Sequence, residues 1–219
     1  MRTIRVTGKG NLKIRPDMMR ITVTLTETEK EYAKALERSS ESTNKLKELL
    51  SRFGFERADL KTLGFNVDTE YEGYTENNQY KQRLVGYRYR HTMKVEFDSD
   101  NDRLGKVLYA LANSDLNPEF NISYTVKDKE AAKNGLICKA VSDAKEKAAA
   151  LTKAAGVILK DIQTIDYSLG EPNLETRPMN RLMAAKAVSA DCAKESCAVD
   201  MEPDDITVSD TVTVIWEIE

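Results

Sequence analysis

The chain has 219 residues, 41% of them hydrophobic and 32% charged, with a net charge of -3 from 33 basic and 36 acidic side chains. That balance is too apolar for a disordered chain and too close to neutral for a field that gathers nucleic acid or an anionic membrane. No apolar run approaches the roughly 20 residues that a membrane-spanning helix needs.

Ile4 and Val6 alternate with Thr3, Arg5 and Thr7, so a short strand opens the chain with no charged leader and apolar core before it. The cytoplasm is therefore expected as the sequence stands, and the periplasm or cell envelope if a leader has been removed. Gly8 and Gly10 read as a turn, because no further glycine of a dinucleotide fingerprint and no helix follow them. Past Pro16-Asp17, Met19, Ile21, Val23 and Leu25 alternate with Arg20, Thr22, Thr24 and Thr26, a strand with one buried face. Ala33, Leu36, Thr43, Leu46, Leu50 and Phe53 then follow helical spacing, and Gly54 stops the helix.

Leu63, Phe65, Val67 and Tyr71 mark the next strand. Residues 72–82, polar and holding Gly73 and Asn77-Asn78, read as a long hairpin loop. The returning strand places Val85, Tyr87, Tyr89, His91, Met93, Val95 and Phe97 on one face and Arg88, Arg90, Lys94 and Glu96 on the other. A linking helix is expected over about 100–114, with Leu104, Val107, Leu108 and Leu111 inward and Ser99 or Asp100 as its cap. A strand with Phe120, Ile122, Tyr124 and Val126 follows. Then comes a long helix over about 129–155, striped by Ala132, Leu136, Ala140, Ala144, Ala148 and Leu151 and ended by Gly156. Ile162, Ile165 and Tyr167 mark a strand, 170–204 an irregular insert, and Ile206, Val208, Val212, Val214, Trp216 and Ile218 a final strand.

Two stretches match in order and spacing. Ile21-Thr22-Val23-Thr24-Leu25 leads to the helix ending at Gly54 and then to Asp59-Leu60-Lys61-Thr62; Ile122-Ser123-Tyr124-Thr125-Val126 leads to the helix ending at Gly156 and then to Asp161-Ile162-Gln163-Thr164. The fold class is therefore α+β, with duplicated β-α-β-β units over about 18–98 and 118–219, antiparallel sheets covered by helices, and one domain over 1–219. A helix can bury its stripe only on the sheet beside it, which is why such a unit repeats as a block.

No catalytic, cofactor-binding or metal site emerges. His91, the single histidine, lies on the apolar face and is expected to be buried and hydrogen-bonded, and nothing places Cys138 beside it. Cys192 and Cys197 read as free loop thiols that could pair under oxidation. Two other readings stay open: an enzyme built on scattered acidic residues, and a nucleic-acid module using Arg88 and Arg90. Against the second, Tyr87 and Tyr89 point away from the arginines, and the net charge is negative.

The insert carries the candidate interaction site. Arg177, Met179, Arg181, Leu182, Met183 and Lys186 suit a short amphipathic helix contacting a neighbouring subunit, another protein or a membrane surface; a mobile tether is the alternative.

The opening Thr3-Ile4-Arg5-Val6-Thr7-Gly8-Lys9-Gly10 with Pro16-Asp17 resembles the SIMPL-domain family. So do the alanine-rich Asp143-Ala144-Lys145-Glu146-Lys147-Ala148 with Leu151 and Gly156, and the insert followed by Ile206-Thr207-Val208-Ser209. The resemblance runs from about residue 2 to 218. It implies an α+β fold, self-association into a homo-oligomer and no established catalytic residues. The family includes a periplasmic immunogenic protein and proteins linked to oxidative-stress defence, and one member assembles into a channel-like ring.

Overall fold

A computed structural model describes residues 2–76, 78–167, 170, 172–177 and 201–219. Its elements are β1 (Arg2–Ile14), β2 (Met18–Glu29), α1 (Tyr32–Ser51), β3 (Lys61–Glu76), β4 (Gln79–Asp98), α2 (Asn101–Ala112), β5 (Glu119–Thr125), α3 (Lys129–Ala155), β6 (Leu159–Asp166), β7 (Glu175–Thr176) and β8 (Ile206–Ile218). They form antiparallel sheets accompanied by helices, the expected α+β class. The chain divides into a central unit, Met18–Ser123 with the described residues of 177–202, and a split unit, drawn from 1–17, 124–176 and 203–219.

In the central unit the strand order is β3-β4-β2-β5. Met19, Ile21, Val23 and Leu25 of β2 and Tyr89, Met93, Val95 and Phe97 of β4 are buried as the alternation requires. Helix α1 lies against β2 and β4 through Ala35, Ser39, Ser42, Leu46 and Leu50. Its first turns are phased differently from the sequence expectation: Leu36 is exposed, and the buried line there is Ala35 and Ser39. Those small side chains let the helix sit close over the sheet, a role that hydrophobic counting does not register. Asp100 caps α2 by accepting the Arg103 N–H, and the Arg103 guanidinium lies 3.9 Å from the Phe55 ring.

In the split unit β8 runs between β1 and β6, and β1 pairs with it along its whole length, from Arg2↔Ile218 to Ile14↔Ile206. Gly8 and Gly10 sit inside β1, opposite Val212 and Asp210, so the expected turn is not there. Their purpose is close approach: a Cβ at Gly8 would lie 2.0 Å from the Ala140 carbonyl oxygen, and one at Gly10 2.2 Å from that of Leu136. Helix α3 presents Ala140, Ala144 and Ala148 to this surface and buries them with Val6, Val212, Val214 and Trp216. Toward its start, Ala132 and Leu136 close a second cluster with Val126, Leu174, Ile206 and Val208. Asp143 on α3 accepts the Lys9 backbone N–H at 2.6 Å, occupying a donor on the β1 edge.

Each unit has a helix closed by a glycine in the left-handed region, Gly54 (φ 78°) and Gly156 (φ 69°). In each, the strand pair after the helix is antiparallel, β3 with β4 and β6 with β8. The third position differs in origin: β2, which precedes α1, lies beside β4, but β1, not β5, lies beside β8. β5 joins β2 in the central sheet, and its last residues, Tyr124 and Thr125, pair with β7 in the split unit.

Candidate functional site

His91 is half-buried, and both its ring nitrogens are engaged. Nδ1 lies 3.0 Å from Thr43 Oγ1 and Nε2 2.9 Å from Thr62 Oγ1, with the Phe65 ring set edge-on to the imidazole. Thr43 already donates its hydroxyl proton to the Ser39 carbonyl at 2.7 Å. It can therefore only accept from His91, so Nδ1 carries the ring proton and Nε2 accepts from Thr62. A hydroxyl donated to an imidazole is half of a nucleophile–base pair. The other half, an anion behind Nδ1 to hold an imidazolium, is replaced by the neutral Thr43. Burial first, and then the nearby Lys47 ammonium, lower the His91 pKa from its usual 6.5. This arrangement keeps the ring neutral and braces α1 against β3 and β4.

That brace has a pH signature. The unfolded chain gains a proton on His91 as pH falls through about 6.5, and the folded chain gains it only at lower pH. Stability is therefore full above that value and declines below it. Thermal melts between pH 7.5 and 5.5 should show a falling Tm for the wild type and a flatter profile for His91→Gln. Identical slopes for the two proteins would contradict the assignment.

The cavities do not converge on this histidine. One of about 450 Å³ between the C-terminal ends of α1 and α2 is lined by Lys45, Leu49, Arg52, Phe53, Asn113 and Leu116 among others. Another, of about 420 Å³, is lined by Lys129, Lys133 and Pro172–Glu175. Among the described residues no group of three or more His, Cys, Asp or Glu side chains could hold a metal, and no helix is long and apolar enough to cross a membrane.

The other sequence candidates fall in different places. Arg177 is exposed; Met179, Arg181, Leu182, Met183 and Lys186 lie outside the described residues, as do Cys192 and Cys197. Cys138 is an exposed thiol on α3. Arg88 and Arg90 are exposed, Arg88 in an ion pair with Glu70, and Tyr89 is fully buried beneath α1.

The feature that sequence reasoning missed is a β-arm. β2 pairs with β4 only as far as Glu29↔Tyr87, but β3 and β4 continue together to Glu76↔Gln79. The expected loop at 72–82 is instead ladder, turned between Glu76 and Gln79 with Asn78 at φ 62°. The result is a two-stranded ribbon extending roughly 25 Å past the sheet at about 3.4 Å per residue. Gly86 marks its root, where a Cβ would lie 2.2 Å from the Glu29 carbonyl oxygen, and the register shifts just beyond, between Glu70↔Gly86 and Tyr71↔Leu84.

One face of the arm carries Tyr71, Leu84 and Tyr80, the last packed over Gly73; the other carries Glu72, Arg83, Tyr74 and Lys81. Arg83 donates to Glu72 at 2.7 Å and lies over the Tyr74 ring at 5.9 Å. Tyr71 is 55% exposed, Tyr80 72% and Leu84 49%. A lone two-stranded ribbon is marginal in water, and solvent-exposed aromatics on such a ribbon are a surface suited to a partner.

A profile of the SIMPL family, described as "Protein of unknown function (DUF541)", matches residues 4–216. The uncharacterized protein YggE of Edwardsiella ictaluri is 26% identical over 211 residues, covering 96% of this chain and 84% of that protein. The 26 kDa periplasmic immunogenic protein of Brucella melitensis is 26% identical over 155 residues, 70% of this chain and 62% of that protein. The protein of the same description from Brucella abortus matches with the same identity and coverage. This chain thus spans somewhat less than two thirds of the Brucella proteins.

Proposed function

The chain belongs to the SIMPL family, and from that premise we propose that it is a non-catalytic, self-associating protein that serves as an oligomeric assembly or interaction scaffold. The observation that supports this reading is the arm. Two strands leave their sheet with, among the described residues, no third strand beside them and with Tyr71, Tyr80 and Leu84 in solvent. Burying that surface against another copy would remove apolar area from water at about 25 cal/mol per Å² and satisfy two open strand edges. The His91 chain of hydroxyls supports the same reading from the other side, because it stabilises a neutral ring and not a charged transition state.

The insert residues Arg177, Met179, Arg181, Leu182, Met183 and Lys186 belong to this proposal as a second contact, to a neighbouring copy, another protein or a membrane surface. The duplication over about 18–98 and 118–219 belongs to it as well. For location, the Brucella relative is named a periplasmic protein, which favours a cell-envelope setting over the cytoplasm expected from the sequence as it stands.

Light scattering on the purified chain tests the core of the proposal. A particle of several subunits is expected at tens of micromolar. A strictly monomeric species at that concentration overturns it.

A further inference from the structure

The arm is electrically lopsided. Its β3 strand carries Glu70 and Glu72, and its β4 strand carries Lys81 and Arg83. Among the described residues β3 is the edge strand of its sheet, and β4 has only β3 beside it from Gly86 to Gln79. Each edge therefore presents backbone N–H and C=O groups ready for another strand. The two edges differ in sign, acidic along β3 and basic along β4. Joining two β3 edges would set carboxylates against carboxylates, and joining two β4 edges would set cations against cations, a cost in either case.

From this asymmetry, and resting on the self-association proposed above, we infer that arms of successive copies pair head to tail, the β3 edge of one against the β4 edge of the next. Within each arm Glu72 already faces Arg83 across the ladder. The added strand places each of these charges between two of opposite sign, a continuous ladder of alternating carboxylates and cations on one face. Tyr71, Leu84 and Tyr80 gather on the opposite face. The pairing is antiparallel, so all arms point the same way, and the contact is heterologous, leaving an acidic edge at one end of the row and a basic edge at the other for the next copy.

Reversing the polarity of the arm tests the inference while keeping its internal ion pairs. The chain carrying Glu70→Arg, Glu72→Arg, Lys81→Glu, Arg83→Glu and Arg88→Glu has a basic β3 edge and an acidic β4 edge. The Arg88 change preserves the pair that Glu70 makes in the wild type. On its own this chain should assemble to the wild-type particle size. Refolded together with differently tagged wild-type chain, it should sort into separate particles, because every mixed contact would set like charges against each other. Mixed particles in statistical proportion, or a folded swapped chain that stays monomeric, overturn the head-to-tail pairing. A wild-type chain that is itself monomeric removes the underlying self-association instead, so the two failures are told apart.

Discussion

Replacing Gly8 with valine should abolish cooperative folding of the split unit. The Cβ of any side chain there falls 2.0 Å from the Ala140 carbonyl oxygen, 2.4 Å from the Ala144 nitrogen and 2.7 Å from the Ala144 Cβ. Two of these are backbone atoms of a long helix, which no rotamer change can move aside. α3 is also tied down locally, since Asp143 accepts the Lys9 N–H and pairs with Lys147 at 2.7 Å. Overpacking a tight core typically costs about 1–3 kcal/mol, and a clash with main chain belongs at or above the top of that range. Gly8→Ala should therefore lose about 3 kcal/mol, and Gly8→Val more. Trp216, the chain's single tryptophan, packs in the same cluster, so its fluorescence reports this unit directly. A Gly8→Ala chain whose tryptophan-detected unfolding midpoint matches the wild type would show that α3 does not lie where described.

Removing the arm should leave the fold intact and weaken the self-association proposed above. Thr69 and Tyr87 face each other across the ladder, so replacing residues 70–86 with Asn-Gly closes the hairpin with a favoured two-residue turn. The pair Glu29↔Tyr87 that ends β2 is retained. The excised apolar side chains Tyr71, Tyr74, Tyr80, Leu84 and Val85 are between 39% and 72% exposed, so the core of the central unit loses little. Thermal stability of the monomer should change by no more than about 0.5 kcal/mol, as for surface substitutions. Self-association should weaken at least tenfold, about 1.4 kcal/mol. The check is sedimentation of both chains across one concentration series; an arm-free chain that keeps the wild-type particle would move the interface elsewhere.

Much of the fold was legible because burial imposes a period. β2 and β8 alternate cleanly, and the small residues Ala140, Ala144 and Ala148 mark a helix that packs tightly on a strand. The failures share a cause: local pattern records which side a residue faces, not what covers that side. Leu63, Phe65 and Tyr71 alternate as core residues do but stay exposed, because α1 packs chiefly over β2 and β4. Leu151 and Ile162 are exposed in the same way. Gly8 and Gly10 looked like a turn because glycine is the commonest turn signal, and the helix that requires them lies far along the chain. Residues 72–82 looked like a loop because they are polar. They persist as ladder through cross-strand pairs such as Glu72 with Arg83, which become visible only once the register is known. The arm, and with it the candidate interface, was hidden by the same polarity.

The pairing of β1 with β8 has a consequence for how the chain acquires its shape during synthesis. The two strands are neighbours from Arg2↔Ile218 to Ile14↔Ile206, yet residues 15–205 are translated between them. The central unit is contiguous apart from a late segment and can settle as it emerges from the ribosome. β1, with its Val6 and its bare Gly8–Gly10 surface, must wait until β8 has left the exit tunnel. For that interval an apolar strand edge is held open, so nascent chains of this protein pass through a stage in which a chaperone, or a second nascent chain, can reach what the finished molecule conceals.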